Sequence, residues 1–337
     1  MSRSTGGGSP LEVQVFRGRL VESRHRVHAV VADRSGRVVA SWGDGNLVTV
    51  VRSAAKPFQA LPLVADGAAE HFALSEEEIA LCSGSHNSEE AHVEVARSIL
   101  AKAGVAEELL VCGVHAPILA ERRDALVAAG TPPTPVMSNC SGKHAGMLAL
   151  AAFHGWPPGG YEKTNHPLQR RIGREVARWM GTEPGEMAWE TDGCGVPTCG
   201  VPLVNLAGAA ARLATAAGSE WAPRRIVRAM TGHPFMVAGT GRLCTRLMEE
   251  MGGRVFAKVG AEAVYLAGEM DRELGVALKV EDGARRAAEP ALLWVLQRTG
   301  LIPPSVKREL AGFAQPVLRN TLGGEVGRVS VAEAPCS

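Results

Sequence analysis

The chain has 337 residues, 46% hydrophobic and 21% charged, with a formal net charge of +1. These values fit a soluble globular protein with material for one large domain or two lobes. The absence of a basic stripe or acidic tail argues against nucleic-acid and membrane-surface partners, and no apolar run reaches the roughly 20 residues of a membrane span.

Met1–Pro10 is rich in Gly and Ser and lacks the apolar middle of a signal peptide, so residues 1–10 are expected to be a disordered tail on a cytoplasmic protein. Short β-rich runs follow at 12–16, 25–32 and 37–42. Ala32-Asp33-Arg34-Ser35-Gly36 forms a hairpin turn between the last two. A fourth run, 47–51, leads directly into Ser53. Helical patterning dominates from there to about residue 250, at 54–64, 76–82, 88–103, 121–129, 143–154, 167–180, 200–216 and 241–251. Strands return at 254–258, 263–267 and 275–280, and a helix over 284–299 closes the pattern.

The expected architecture is α/β in content. An antiparallel sheet is built from both chain ends, with a large helical lobe inserted between them. Residues 11–337 then form one domain, with a sheet lobe (11–52 plus 252–337) and a mainly helical lobe (53–251).

Among 36 basic residues only seven are lysine: Lys56, Lys102, Lys143, Lys163, Lys258, Lys279 and Lys307. Lysine can lose its proton and serve as base or ligand, which arginine in effect cannot. Three of the seven stand in polar, Gly/Ser-bearing blocks: Arg52-Ser53-Ala54-Ala55-Lys56-Pro57, Asn139-Cys140-Ser141-Gly142-Lys143-His144 and Lys258-Val259-Gly260.

Ser53 and Lys56 have Ser-x-x-Lys spacing at a strand-to-helix transition, which on a helix places both on one face. Either Lys56 activates Ser53 for acyl transfer, or Ser53 is an N-cap beside a solvated lysine. Lys258-Val259-Gly260 occupies a strand end where serine β-lactamases and penicillin-binding proteins carry Lys-Thr-Gly. Its alternative is an edge strand protected by a charge. Ser85 and His86 sit in a Gly-containing turn. Asn87 and Glu90 have capping-box spacing for the next helix, and the His86/His92 spacing does not match a His-Glu-x-x-His zinc site.

The seven cysteines are odd in number and scattered, unlike a disulfide framework. Cys140, at a helix start, is a candidate nucleophile or, with Cys194, half of a soft cation site. Buried structural thiols are the third option.

Taken together, the Arg52–Pro57 block, Ser83-Gly84-Ser85-His86, Asn139–Met147 and Thr191–Pro197 resemble the asparaginase II family, the rhizobial-type L-asparaginases. The resemblance spans roughly residues 50 to 265. It implies a fold related to serine β-lactamases and glutaminases, and hydrolysis of L-asparagine to L-aspartate and ammonia. It further implies two Ser–Lys pairs, Ser53 with Lys56 and Ser85 with Lys258, and a zinc site of Cys140, Lys143 and Cys194 with Asp192 beside it. The family is typically homodimeric.

Charge complementarity makes Asp192 the candidate for the substrate α-ammonium, and Arg52 or His86 for its α-carboxylate. The competing readings are a glutaminase, a related amidase or β-lactamase-like acyl hydrolase, and a non-catalytic zinc- or redox-sensing protein.

Overall fold

A computed structural model of the chain describes residues 8–332. The main sheet takes β1 (Leu11–Arg17), β2 (Leu20–Asp33) and β3 (Val38–Trp42) from the start of the chain. A small separate sheet takes β4 (Val48–Val50), β5 (Ala188–Thr191) and β6 (Pro197–Pro202). The far end of the chain returns β7 (Val255–Val259), β8 (Val264–Glu269), β9 (Leu274–Val280), β10 (Val317–Arg319) and β11 (Glu325–Val331) to the main sheet. The eight-stranded main sheet has the order β10-β11-β1-β2-β9-β8-β7, with β3 paired to β2. Its pairings are antiparallel. The expected sheet from both chain ends is present, and β7, which carries Lys258, lies at one edge of it.

Residues 27–32 of β2 and all of β8 are buried consecutively rather than alternately, so both faces of the sheet centre are covered. The helix Leu203–Ala217 packs on β2, β8 and β9, and the helix Arg285–Arg298 packs across β1, β2, β9 and β11. A side chain at Gly275 of β9 has no room, because a Cβ there would lie 2.0 Å from the Ala207 carbonyl oxygen. This close approach seats the helix on the sheet.

In the helical lobe, Lys56–Ala65 is the central element, buried along nearly its whole length. It packs against the helices Glu76–Cys82, Ser141–Phe153, Pro167–Met180 and Trp221–Gly232. None of the helices among the described residues is long and apolar enough to cross a membrane.

Three local expectations change. The 47–51 run pairs with β6, not with the main sheet. The helix expected from 200 starts at Leu203, because Val201 precedes Pro202 and so favours an extended backbone. The capping box on the helix Glu90–Lys102 is Glu89 with His92, in place of Asn87 with Glu90. Of the expected tail, residues 1–7 lie outside the described residues, as does Cys336. Gly8 forms a bridge with Trp42, and its carbonyl accepts from Gly43 N at 2.9 Å.

Gly275→Ala is expected to destabilise the protein by about 1–3 kcal/mol through overpacking, measured by denaturant unfolding. An unchanged midpoint would show that the helix can retreat from the sheet without loss.

Candidate active site

Ser85 follows the helix Glu76–Cys82 after a tight exit through Ser83 and Gly84. Gly84 N donates to Leu81 O at 2.9 Å, and Ser85 N to Val237 O at 2.8 Å. A Cβ at Gly84 would lie 2.6 Å from Met236 O, so only glycine lets this loop dock.

Ser85 Oγ is held between two lysine amines, Lys258 Nζ at 2.8 Å and Lys56 Nζ at 2.9 Å. Both lysines are fully buried. Lys258 also donates to Val259 O at 2.8 Å. Burial, reinforced by the neighbouring Lys56, lowers Lys258 well below the ordinary lysine range. An amine so placed can offer a lone pair to a hydroxyl proton.

The Lys258–Ser85 contact is the one that the family resemblance implies. Lys56, however, is not on Ser53. Its amine donates to Gly84 O at 2.6 Å and contacts Cys140 Sγ at 3.2 Å and Asn139 O at 3.5 Å. A fully buried amine needs several acceptors, and one serine hydroxyl three residues back supplies too few. Ser53 Oγ makes no hydrogen bond among the described residues. Ser53 belongs to the 3-10 turn Arg52–Ala55, where its carbonyl accepts from Lys56 N.

Arg52 has a left-handed backbone, φ 50°, a strained conformation of the kind that clusters at functional sites. Its Nε donates to Asp192 Oδ1 at 2.6 Å. Asp192 lies in the turn between β5 and β6 that also carries Cys194. Burial pushes the Asp192 carboxyl up, but the Lys143 amine and the Arg52 guanidinium together hold it below its usual range.

Cys140, Lys143 and Cys194 are brought together as expected. Cys140 is the N-cap of the helix Ser141–Phe153 and Lys143 lies in its first turn. Lys143 Nζ contacts Cys194 Sγ at 2.9 Å. The hydrogen bond from Cys194, with Lys56 and Lys143 nearby, drives Cys140 well below the ordinary thiol range despite burial. Cys194 shifts upward because of that bond to Cys140 and its burial. The two shifts run in opposite directions, so Cys140 is the thiol more readily ionised, while Cys194 Sγ faces Asp192 Oδ2 at 3.6 Å. Burial pulls Lys143 down, but Cys194 and Cys140 outweigh it and keep the amine above its usual range.

No group of three or more His, Cys, Asp or Glu side chains able to hold a metal occurs among the described residues. An amine completes the candidate set here. Two thiols and one amine converging at the wall of a polar site form a soft donor set that fits zinc, provided Lys143 gives up its proton.

His86, expected as one of two candidates for the substrate α-carboxylate, lies in the interior of the loop. It is fully buried, Nε2 contacts Ser141 Oγ at 3.0 Å and Nδ1 accepts from Ser88 N at 3.2 Å. Burial and its neighbour His92 lower it well below the usual histidine range, so a neutral imidazole remains to brace the loop.

Residues outside the quoted motifs also build the site. Arg242 Nη1 donates to Asn87 Oδ1 at 2.9 Å and Asn87 Nδ2 to Thr240 O at 2.9 Å, which anchors the Ser85 loop. His115 Nε2 accepts from Asn139 N at 3.0 Å beside Cys140. A lone histidine or arginine in a loop gives no sequence signal of such a role.

Residues 13–331 match the family described as L-asparaginase II, and the chain belongs to that family of amidohydrolases. No curated protein matches it. Among solved structures it is similar to Mglu in its glutamate form, at 15% identity and a TM-score of 0.38, covering 82% of this chain and 61% of that one. It is also similar to Mglu in its tris and glutamate form, at 15% identity and a TM-score of 0.38, covering 87% and 63%. The chain thus spans less than two thirds of the length of these structures.

In metal-free protein, ultraviolet thiolate absorption is expected to persist at neutral pH and to fade only in acid, as the pH drops through the lowered Cys140 value. Cys140→Ser should abolish it and Cys199→Ser should not. Absorption that appears only in alkali would contradict the lowered Cys140 value.

Proposed function

We propose that the chain hydrolyses the side-chain amide of L-asparagine, giving L-aspartate and ammonia through a Ser–Lys acyl-enzyme route. The observation that carries this reading is the Ser85 hydroxyl held between two buried amines, 2.8 Å from Lys258 and 2.9 Å from Lys56. A hydroxyl donates one proton and accepts another, so this arrangement is a relay. Lys56 can give a proton to Ser85 as Ser85 gives its own to Lys258, the amine favoured in its neutral form.

In this scheme Ser53 Oγ attacks the amide carbon. Its proton passes to Lys56, which exchanges one of its present acceptors for Ser53 Oγ. The C–N bond breaks as the relay returns a proton to the departing ammonia. Water then opens the ester by the same route. Ser53 is 9% exposed against 4% for Ser85, and it has no competing hydrogen bond. Gly260 N is spent on Val264 O at 2.8 Å, so by antiparallel alternation the Val259 N–H faces away from β8 at the open edge and can serve the oxyanion.

The Arg52–Asp192 pair at 2.6 Å matches a zwitterion, the guanidinium taking the α-carboxylate and the carboxylate the α-ammonium. Zinc held by Cys140, Cys194 and Lys143 would fix the Cys194 turn against the Cys140 helix and polarise a substrate oxygen. Two thiolates limit its Lewis acidity.

A second reading makes Ser85 the attacking group, since both amines lie on Ser85 and neither on Ser53. Ammonia release from L-asparagine and L-glutamine by wild type, Ser53→Ala and Ser85→Ala separates the two. The scheme expects a loss of about a thousandfold or more in kcat for Ser53→Ala, with acyl-enzyme in the wild type located on Ser53 by mass spectrometry. Acyl adduct on Ser85 exchanges the roles, and no turnover of asparagine by the wild type overturns the proposal. A one-methylene difference between the two amides is worth about 1–3 kcal/mol, so a preference of about 10–200-fold for asparagine is expected.

Zinc content by elemental analysis is expected to fall in Cys140→Ser and in Cys194→Ser but not in Cys199→Ser. Equal zinc in all three would remove the proposed ligands.

A further inference from the structure

A cavity of 320 Å³ lies beside β7, lined by Arg242, Val259, Tyr265, Arg285, Arg286 and Glu289 among others, and shares none of these residues with the space that Arg52 lines. Three guanidinium groups from two separate elements line this one space. None of the three forms a salt bridge among the described residues. Arg242 spends one donor on Asn87 Oδ1, Arg286 spends Nε on His25 Nε2 at 3.0 Å, and no hydrogen bond of Arg285 occurs among the described residues. Each guanidinium carries five N–H donors, so most remain unspent.

The local acids offset this charge only in part, since Glu22 feels Arg286 and Glu289 feels Arg242 and Arg285. Asp282 is engaged with His25 Nδ1 at 2.7 Å. Glu289 is the one carboxylate among these lining residues, and burial pushes it above its usual range while Arg242 and Arg285 pull it down, so a single carboxylate faces three guanidinium groups. Arg285 and Arg286 also occupy the first turn of the helix Arg285–Arg298, where a cation opposes the helix dipole. That placement costs stability unless negative charge joins it.

A second arginine-lined cleft shows the contrast. In the 470 Å³ space around Arg34, Arg178 and Arg212, Arg178 pairs with Glu175 and Glu220, and Arg212 bonds to the carbonyls of Trp179 and Arg34. Two of its three cations are already answered by the protein.

We propose that the Arg242/Arg285/Arg286 cavity binds a small multivalent oxyanion, a phosphate or a dicarboxylate, held by paired N–H donors of the arginines. Planar guanidinium forks suit both chemistries. The site touches both halves of the Ser85–Lys258 contact. Val259, on its wall, accepts from Lys258 Nζ through its carbonyl, and Arg242 holds Asn87, two residues beyond Ser85. A bound anion would therefore bear directly on the geometry of that pair.

The test is calorimetric titration of the full-length protein with inorganic phosphate and, separately, succinate, at constant ionic strength, with sodium chloride as control. It needs no turnover, so its failure is distinct from failure of the asparaginase reading. One saturable site for phosphate or for succinate is expected, and the preferred probe names the source chemistry. Affinity should fall about tenfold or more in Arg285→Gln and further in Arg285→Gln/Arg286→Gln, each arginine–oxyanion pair being worth about 1.5–3 kcal/mol. Arg285 is exposed and its charge opposes the helix dipole, so its variant should melt no lower than wild type and keep turnover in anion-free buffer, which certifies the fold. The proposal is overturned by no saturable binding of either anion, or by binding that the double variant leaves unchanged.

Discussion

Three lysine amines buried together are the constraint on which the rest of this structure depends. Lys56 and Lys258 are 0% exposed and Lys143 is 3% exposed. An ammonium out of water is costly unless it is paired, hydrogen-bonded or deprotonated. The protein uses all three remedies. Lys143 sits on thiols, Lys56 is surrounded by carbonyls, a hydroxyl and a thiol, and Lys258 is displaced toward the neutral amine. Arginine could not substitute at Lys258, since it does not give up its proton.

Much of the architecture serves this cluster. The Gly84 turn presents one carbonyl to Lys56, and its docking against Met236 and Val237 holds Ser85 in place. The helix Ser141–Phe153 begins at Cys140, where free N–H groups and two nearby amines favour a thiolate. The β5–β6 turn brings Cys194 and Asp192 to the same centre, and Arg52, in its left-handed conformation, clasps Asp192. The edge strand β7 delivers Lys258 from the sheet lobe. The Ser85–Lys258 contact thus ties the loop after the helix Glu76–Cys82 to the sheet edge, beside the larger packing of the helix Leu203–Ala217 on β2, β8 and β9.

The sequence carried the long-range plan well. Lysines kept among many arginines marked the cluster, because chemistry needs a titratable cation where solubility does not. β-Rich runs at both ends and helical periodicity between them pointed to the sheet and its helical insert. The pairing of Lys56 was not legible. Ser-x-x-Lys spacing says which side chains share a face, but not that a buried amine will find better acceptors 28 residues on, at Gly84 and Ser85. His86 looked like a polar site residue because a Gly-Ser turn does not disclose depth. The small sheet of β4, β6 and β5 escaped notice because its strands are three to six residues long and one begins and ends in proline. Arg242 acts through one side-chain hydrogen bond and His115 through contacts with Asn139 and Ala116, which no motif records.

The central claim is that Lys258 is neutral enough to accept the Ser85 proton. Nitrogen-15 NMR of lysine-labelled protein, assigned with Lys258→Met, measures this directly. The account predicts that the Lys258 amine titrates well below the ordinary lysine value of about 10.4 and that its resonance moves upward in pKa when Lys56 is replaced by Met. Titration of Lys258 at the ordinary value, unchanged by Lys56→Met, would contradict it.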